Sequence, residues 1–195
     1  MPSPGSSTGE APPPVRIIAG SAKGTRLGTV PAGTRPMSDR AREGLFSSLG
    51  SAVVDARVLD LFAGTGAMGI EALSRGATAA LFVDSAPAAV RTVTENLRRA
   101  KLSKSATVRR LDALGAVRAR PGQFDLVLLD PPYHAPQAYM EDLITEVAGQ
   151  SVVAAEGLVV LTRQRQSYTP VIPLHWQLDR RLSYGDAIVL VFQAK

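Results

Sequence analysis

The sequence contains no cysteine. That excludes disulfide staples, cysteine-ligated zinc or iron–sulfur centres, and any reaction that needs a thiolate nucleophile, C5 methylation of pyrimidines among them. Histidine is nearly as scarce, with only His134 and His175 present; both are read as loop residues, and no metal site is expected. No apolar run approaches the roughly 20 residues that span a bilayer. The first 14 residues hold no basic start followed by an apolar block. A soluble cytoplasmic protein is the expectation. At 195 residues the chain has the length for one domain with a sizeable core, not for two ordinary ones.

Acidic residues are missing from one region in particular. The net charge of +5 concentrates in residues 15–42, where Arg16, Lys23, Arg26, Arg35, Arg40 and Arg42 face only Asp39. A basic arm of this kind suits a polyanionic substrate, because phosphate contacts supply most non-specific affinity for nucleic acid. Ahead of it, residues 1–14 are rich in Pro, Ser and Gly and too polar to bury a core, which predicts a disordered tail.

What is present centres on Val58 to Leu73, VLDLFAGTGAMGIEAL. An apolar strand carried by Val58, Leu59 and Leu61 runs into glycines, and Ile70 and Leu73 then begin a helical face. Such turns lie at the carboxyl edge of a parallel sheet, where open α/β folds bind ligands. Two cofactor classes fit. Gly64, Gly66 and Gly69 match the dinucleotide spacing, with Asp84 about 20 residues on as a ribose partner. Asp60, Phe62, Gly64 and Gly66 instead form D-x-F-x-G-x-G, similar to the first motif of class I S-adenosylmethionine-dependent methyltransferases, with Ala63 and Thr65 in the same turn.

Around this stretch the pattern alternates between strand and helix. Val15–Ala19 and Thr25–Leu27 suggest a small hairpin, and the Gly- and Pro-rich loop 28–36 discourages regular structure. Ser38 or Asp39 can cap a helix to about Leu49, with Ala41, Leu45, Phe46 and Leu49 inward and Arg40 and Arg42 off that face. Further strands are expected at Ala79–Val83, Thr107–Leu111, Phe124–Leu129 and Leu158–Leu161. Helices are expected at Ala86–Lys101, through Val90, Val93 and Leu97, and at Tyr139–Val147. Trp176–Leu182 and Ala187–Phe192, flanking Tyr184-Gly185-Asp186, read as an antiparallel hairpin. The fold class is therefore α/β, a doubly wound, mainly parallel sheet with a C-terminal antiparallel hairpin.

The chemistry is chosen by Asp130-Pro131-Pro132-Tyr133, after the strand Phe124–Leu129. An exocyclic amine on a nucleobase is a poor nucleophile, since its lone pair is delocalised into the ring. A carboxylate and a backbone carbonyl that accept its two N–H bonds can turn that lone pair toward an electrophile. The prolines stiffen the loop and remove competing donors. Tyr133 offers a face for a flipped base, worth about 1–3 kcal/mol.

DPPY is similar to the motif of enzymes that methylate adenine N6, cytosine N4 or guanine N2. Together with RIIAG at residues 16–20, RPMSDRAREGLF at 35–46, LDLFAGTGAMGIEALSRGA at 59–77, LLDPPY at 128–133 and YGD at 184–186, the chain resembles the RsmD-type family over roughly residues 15–192. Those are bacterial 16S ribosomal RNA guanine-N2 methyltransferases. The resemblance implies a class I methyltransferase fold with S-adenosyl-L-methionine as donor. It implies one guanine of 16S ribosomal RNA, naked or in a small-subunit assembly particle, as acceptor. By position, Asp60, Gly64 and Gly66 would surround the methionine end, Asp84 the ribose and Asp112 the adenine amino group. Asp130, the Pro131 carbonyl and Tyr133 would handle the guanine. Arg35, Arg40 and Arg42 would face RNA or close over the cofactor, with Arg16, Lys23 and Arg26 as further RNA contacts. One departure is clear: where the family's fifth strand usually continues into glutamate, this chain has Leu161-Thr162-Arg163, and Arg163 would instead add positive charge. The expected organisation is a tail (1–14), a basic extension (15–50) and a methyltransferase domain (51–195), with a monomer as the default expectation. DNA adenine-N6 methylation, a non-catalytic RNA-binding assembly factor and dinucleotide oxidoreduction are the competing readings.

Overall fold

Central strands that are apolar on both faces can be stable only if both faces are covered, and the molecule is laid out accordingly. β1 (Arg57–Asp60), β2 (Ala79–Asp84), β3 (Ala106–Arg110) and β4 (Phe124–Leu129) run parallel. Of these, β1, β2 and β4 are largely apolar on both faces, and the polar strand β3 lies at the edge. β5 (Val153–Gln164) extends that parallel set, and the hairpin β6 (Trp176–Tyr184) and β7 (Ala187–Ala194) closes it, β7 pairing antiparallel with β5. The order is β3-β2-β1-β4-β5-β7-β6. One face packs against α1 (Asp39–Leu49), α2 (Ala67–Ser74) and α3 (Pro87–Arg99). The other packs against α4 (Ala113–Arg118) and α5 (Gln137–Gly149). This computed structural model describes residues 15–29 and 37–195. The predicted tail at 1–14, most of the loop 28–36 and Arg35 lie outside them. Among the described residues no helix is long and apolar enough to cross a membrane.

The expected doubly wound sheet with its terminal hairpin is present, and β4 has the predicted bounds. Several elements differ. The N-terminal hairpin is reduced to one antiparallel bridge, Arg16 to Arg26, because a tight turn at residues 21–24 leaves room for little more. α4 was not foreseen: it is six residues long and relies on Asp112, which caps it by accepting from the Gly115 amide (3.0 Å). On α3, Ala89 takes the buried place expected of Val90. β5 starts five residues early, its pairing with β4 interrupted by a register shift beside Glu156, which adopts φ +60°.

The largest correction concerns Arg42. Expected off the inward face of α1, it is fully buried. Its Nη2 donates to the Arg16 carbonyl and to Asp39 Oδ1 (2.9 Å), and its Nε lies 3.7 Å from Glu71. Glu71, also fully buried, accepts from the amides of Ile18 (2.8 Å) and Ala19 (3.1 Å) and from Arg75 Nε (2.7 Å). The irregular segment 15–29 has amides that no ladder satisfies, and buried amides need partners. Glu71 and Ser74 of α2 provide several, and Asn96 of α3 bridges Gly28 to the Thr65 carbonyl. Arg42 is therefore the counter-charge of a buried staple.

Removing one partner from a buried ion cluster leaves the other charge uncompensated, at about 3–5 kcal/mol. Glu71→Ala should lose that much stability in urea unfolding, with Glu71→Gln in between. A loss under about 1 kcal/mol would mean that solvent replaces the staple.

Candidate active site

The turn after β1 is held open by backbone that side chains disfavour. Gly64 has φ +54° and Gly66 φ +79°, and Gly66 is the capping residue just ahead of α2. Gly69 serves packing instead: a Cβ there would overlap the Phe82 ring of β2. Beneath the turn, Asp60 is only 2% exposed and accepts from the Gly69 amide (3.1 Å). At the end of β2, Asp84 accepts from Gly64 (2.8 Å) and Ala86 (2.9 Å), bracing the turn from the next strand.

These ends enclose a cavity of about 510 Å³. Of the residues singled out from sequence, Phe62, Ala63, Gly64, Thr65, Asp84, Asp112, Asp130, Pro131, Pro132 and Tyr133 line it. Asp60 and Gly66 do not; they support the wall from behind. The glycine turn and the DPPY loop, far apart in sequence but following the paired strands β1 and β4, thus line one space. His134 lines it as well. Sequence reading missed Met37, Met68, Ser85 and Tyr139. The first three are small or apolar residues with no pattern to mark them. Tyr139 was seen only as a helix start, and burial pushes its phenol above the ordinary range.

The basic residues stand apart. Arg16, Lys23, Arg26 and Arg40 are exposed, and none lines the cavity. Arg163, expected to add positive charge, is 3% exposed, donates to the Tyr168 carbonyl (2.9 and 2.6 Å) and is held below its usual range by burial.

No described lysine or arginine lines the cavity, whereas three of its lining residues are aspartates and a fourth lies beneath. Burial raises Asp60 from 3.8 to about 7, assisted by the neighbouring charges of Asp130 and Asp84 and opposed by the Gly69 amide. Burial likewise raises Asp130 from 3.8 to about 6, opposed by the Thr162 side chain. Crowded carboxylates favour a cationic occupant and disfavour a pyrophosphate. The glycine cradle adds close backbone approach. Among the described residues no cluster could hold a metal ion.

A mainly parallel sheet of this order with a glycine turn facing an acidic loop defines a class I S-adenosylmethionine-dependent methyltransferase fold. An RNA methyltransferase from Salinibacter ruber, solved in complex with S-adenosyl-L-homocysteine, shares that fold at a TM-score of 0.64 and 16% identity, covering 82% of this chain and 94% of its own. More narrowly, residues 15–193 match the model of the family described as conserved hypothetical protein 95, and the chain belongs to this family, that of the RsmD-type proteins. Ribosomal RNA small subunit methyltransferase D of Escherichia coli K12 is 32% identical over 181 residues, 92% of this chain and 89% of that one. The solved structure of the Escherichia coli protein yhhF superposes with a TM-score of 0.84 at 31% identity, covering 93% and 98% of the two chains.

A carboxyl group with a raised pKa binds its proton more tightly in the folded than in the unfolded protein. Between about pH 4 and 7 the folded state holds more protons, so Asp60 contributes stability at low pH that is lost as pH rises through about 7. Thermal unfolding should show Tm declining from about pH 5.5 to 8, and Asp60→Asn should flatten that decline. Parallel curves for the two proteins would contradict this reading of Asp60.

Proposed function

We propose that the protein transfers a methyl group from S-adenosyl-L-methionine to the exocyclic N2 of a guanine in 16S ribosomal RNA, naked or within a small-subunit particle. The observation that carries this reading is that Asp130 and Tyr133 line the same cavity as the Gly64 turn. The cofactor, when bound, supplies a methyl on a sulfonium already primed as a leaving group.

The chain's own residues would do the rest by orientation, which can contribute about 7–11 kcal/mol. Gly64, Ala63 and Thr65 would hold the methionine end, Asp84 the ribose hydroxyls and Asp112 the adenine amino group. The acid-lined cavity favours the cofactor's positive charge. Asp130 and the Pro131 carbonyl would accept the two N–H bonds of the amine, directing its lone pair into the cavity, while Tyr133 stacks on the base. The excess proton of the methylated amine would leave to solvent or through Asp130. Residues 15–50 would form an RNA-facing extension, with Arg16, Lys23, Arg26 and Arg40 reaching phosphates, on a methyltransferase domain at 51–195. The relatives named as ribosomal RNA methyltransferases support this choice of acceptor.

Only ionised Asp130 accepts both in charge and in geometry, so kcat should fall as pH drops through about 6, above the ordinary carboxylate range. Asp130→Ala should lose about 10²–10⁴-fold in turnover with cofactor binding by calorimetry retained. Turnover within tenfold of wild type would remove Asp130 from the chemistry. Nucleoside mass spectrometry on ribosomal RNA from a deletion strain should lack one N2-methylguanosine. Methylation of duplex DNA in preference would replace the substrate assignment.

Each phosphate contact contributes a slope of about −0.7 to −0.9 in log K against log salt. Lys23→Ala with Arg26→Ala should reduce the RNA-binding slope by about 1.4–1.8, measured by fluorescence anisotropy. An unchanged slope would place the RNA elsewhere.

A further inference from the structure

Next to Asp130, on β5, stands a buried hydroxyl that the fold does not require. Leu128 pairs with Val160 and Leu129 with Leu161, so the same parallel register places Thr162 beside Asp130. Side chains alternate along strands. Leu128 and Val160 belong to the core on the α1–α3 side, so Asp130 and Thr162 face that side too, as does Asp60, two residues beyond Val58. Same-face neighbours on adjacent strands lie about 5 Å apart at Cβ, within reach of a hydroxyl and a carboxylate.

Thr162 is 2% exposed, and its Oγ1 makes no hydrogen bond of full geometry. It is nonetheless close enough to lower the Asp130 pKa. Its neighbours Leu161, Val189 and Val160 are aliphatic, and a valine would pack as well. A buried hydroxyl among aliphatic side chains is worth keeping only where an acceptor is within reach, and here that acceptor is the Asp130 carboxylate on the paired strand.

We propose that Thr162 is a positioning residue for methyl transfer: its Oγ1–H closes onto one oxygen of the Asp130 carboxylate and leaves the other oxygen aimed at the exocyclic amine. This rests on the role assigned to Asp130 above. Other charged groups on the elements packed around Asp130 are committed elsewhere or repel it. Arg42 of α1 and Glu71 of α2 face each other, Asp60 of β1 is a like charge, and Arg163 of β5 bonds Tyr168 from the opposite face. Asp84 and Asp112 line the same cavity and add negative charge, and His134 and Tyr133 lie on the same loop as Asp130. A neutral donor at Thr162 holds the carboxylate ionised and oriented among these acids.

The test compares wild type with Thr162→Val, Thr162→Ala and Thr162→Ser in the full chain, reading kcat, KM and Tm across about pH 5–9. Thr162→Val should leave Tm close to wild type at about pH 5, where Asp130 is largely protonated in both proteins, lower kcat at pH 8 roughly tenfold, the size of one hydrogen bond to a charged group, and move the acid limb of the kcat profile to higher pH. KM for RNA should hold, and Thr162→Ser should restore both kcat and the acid limb. Thr162→Ala carries the same kinetic expectation and cannot overpack, which keeps the test open if the valine variant misfolds. A wild-type acid limb and kcat in the valine or alanine variant, with Asp130→Ala inactive, overturns the role of Thr162 and leaves that of Asp130 standing. Wild-type kinetics in Asp130→Ala as well would overturn both.

Discussion

Acids at strand ends can be tied by backbone amides to the turns and helices beside them, and the architecture of this protein turns on how that is done at one rim of the sheet, where Asp60 is buried, Asp84 and Asp130 are half-buried and Asp112 is exposed. Asp60 accepts from α2, Asp84 braces the glycine turn, and Asp112 begins α4. In each case a backbone amide ties a strand end to the element that follows or adjoins it. The turn is shaped as much by these acids as by its glycines. Asp130 differs in that Thr162, not a helix amide, moderates its charge where it lines the cavity with the turn.

The same economy of donors and acceptors governs the N-terminal extension. Its segment 15–29 forms no regular ladder, so α2 and α3 satisfy it from the side through Glu71, Ser74 and Asn96. This couples the basic arm rigidly to the two helices that also carry the glycine turn, since Asn96 reaches both Gly28 and Thr65. An exposed basic surface and an acid-lined cavity are thereby tied to the same pair of helices.

How far the sequence could be read depended on whether a signal was local. The strands and long helices announce themselves through hydrophobic period, and β4 was legible to its last residue because every position but Asp125 is buried. α4 was not, being too short for a period, although Asp112 followed by Gly115 carried a capping signal. Glu156 and Gly157 hid the start of β5, because residues that disfavour strands mark its irregular pairing. Arg42 and Arg163 were misplaced for a related reason: a guanidinium in sequence reads as solvated, and only a partner brought from another element, Glu71 or the Tyr168 carbonyl, makes burial tolerable.

By itself, then, the order of residues determined the layered α/β class, the glycine turn and the acid–proline loop, since each is written within a few consecutive positions as period, conformational freedom or stiffness. Only the tertiary structure decided that the two loops face one cavity and that Asp60 lies behind its wall. It also decided which arginines are interior counter-charges and that a lone hydroxyl sits beside Asp130. Those are relations between strands distant in the chain, created by sheet order and register and absent from any local stretch.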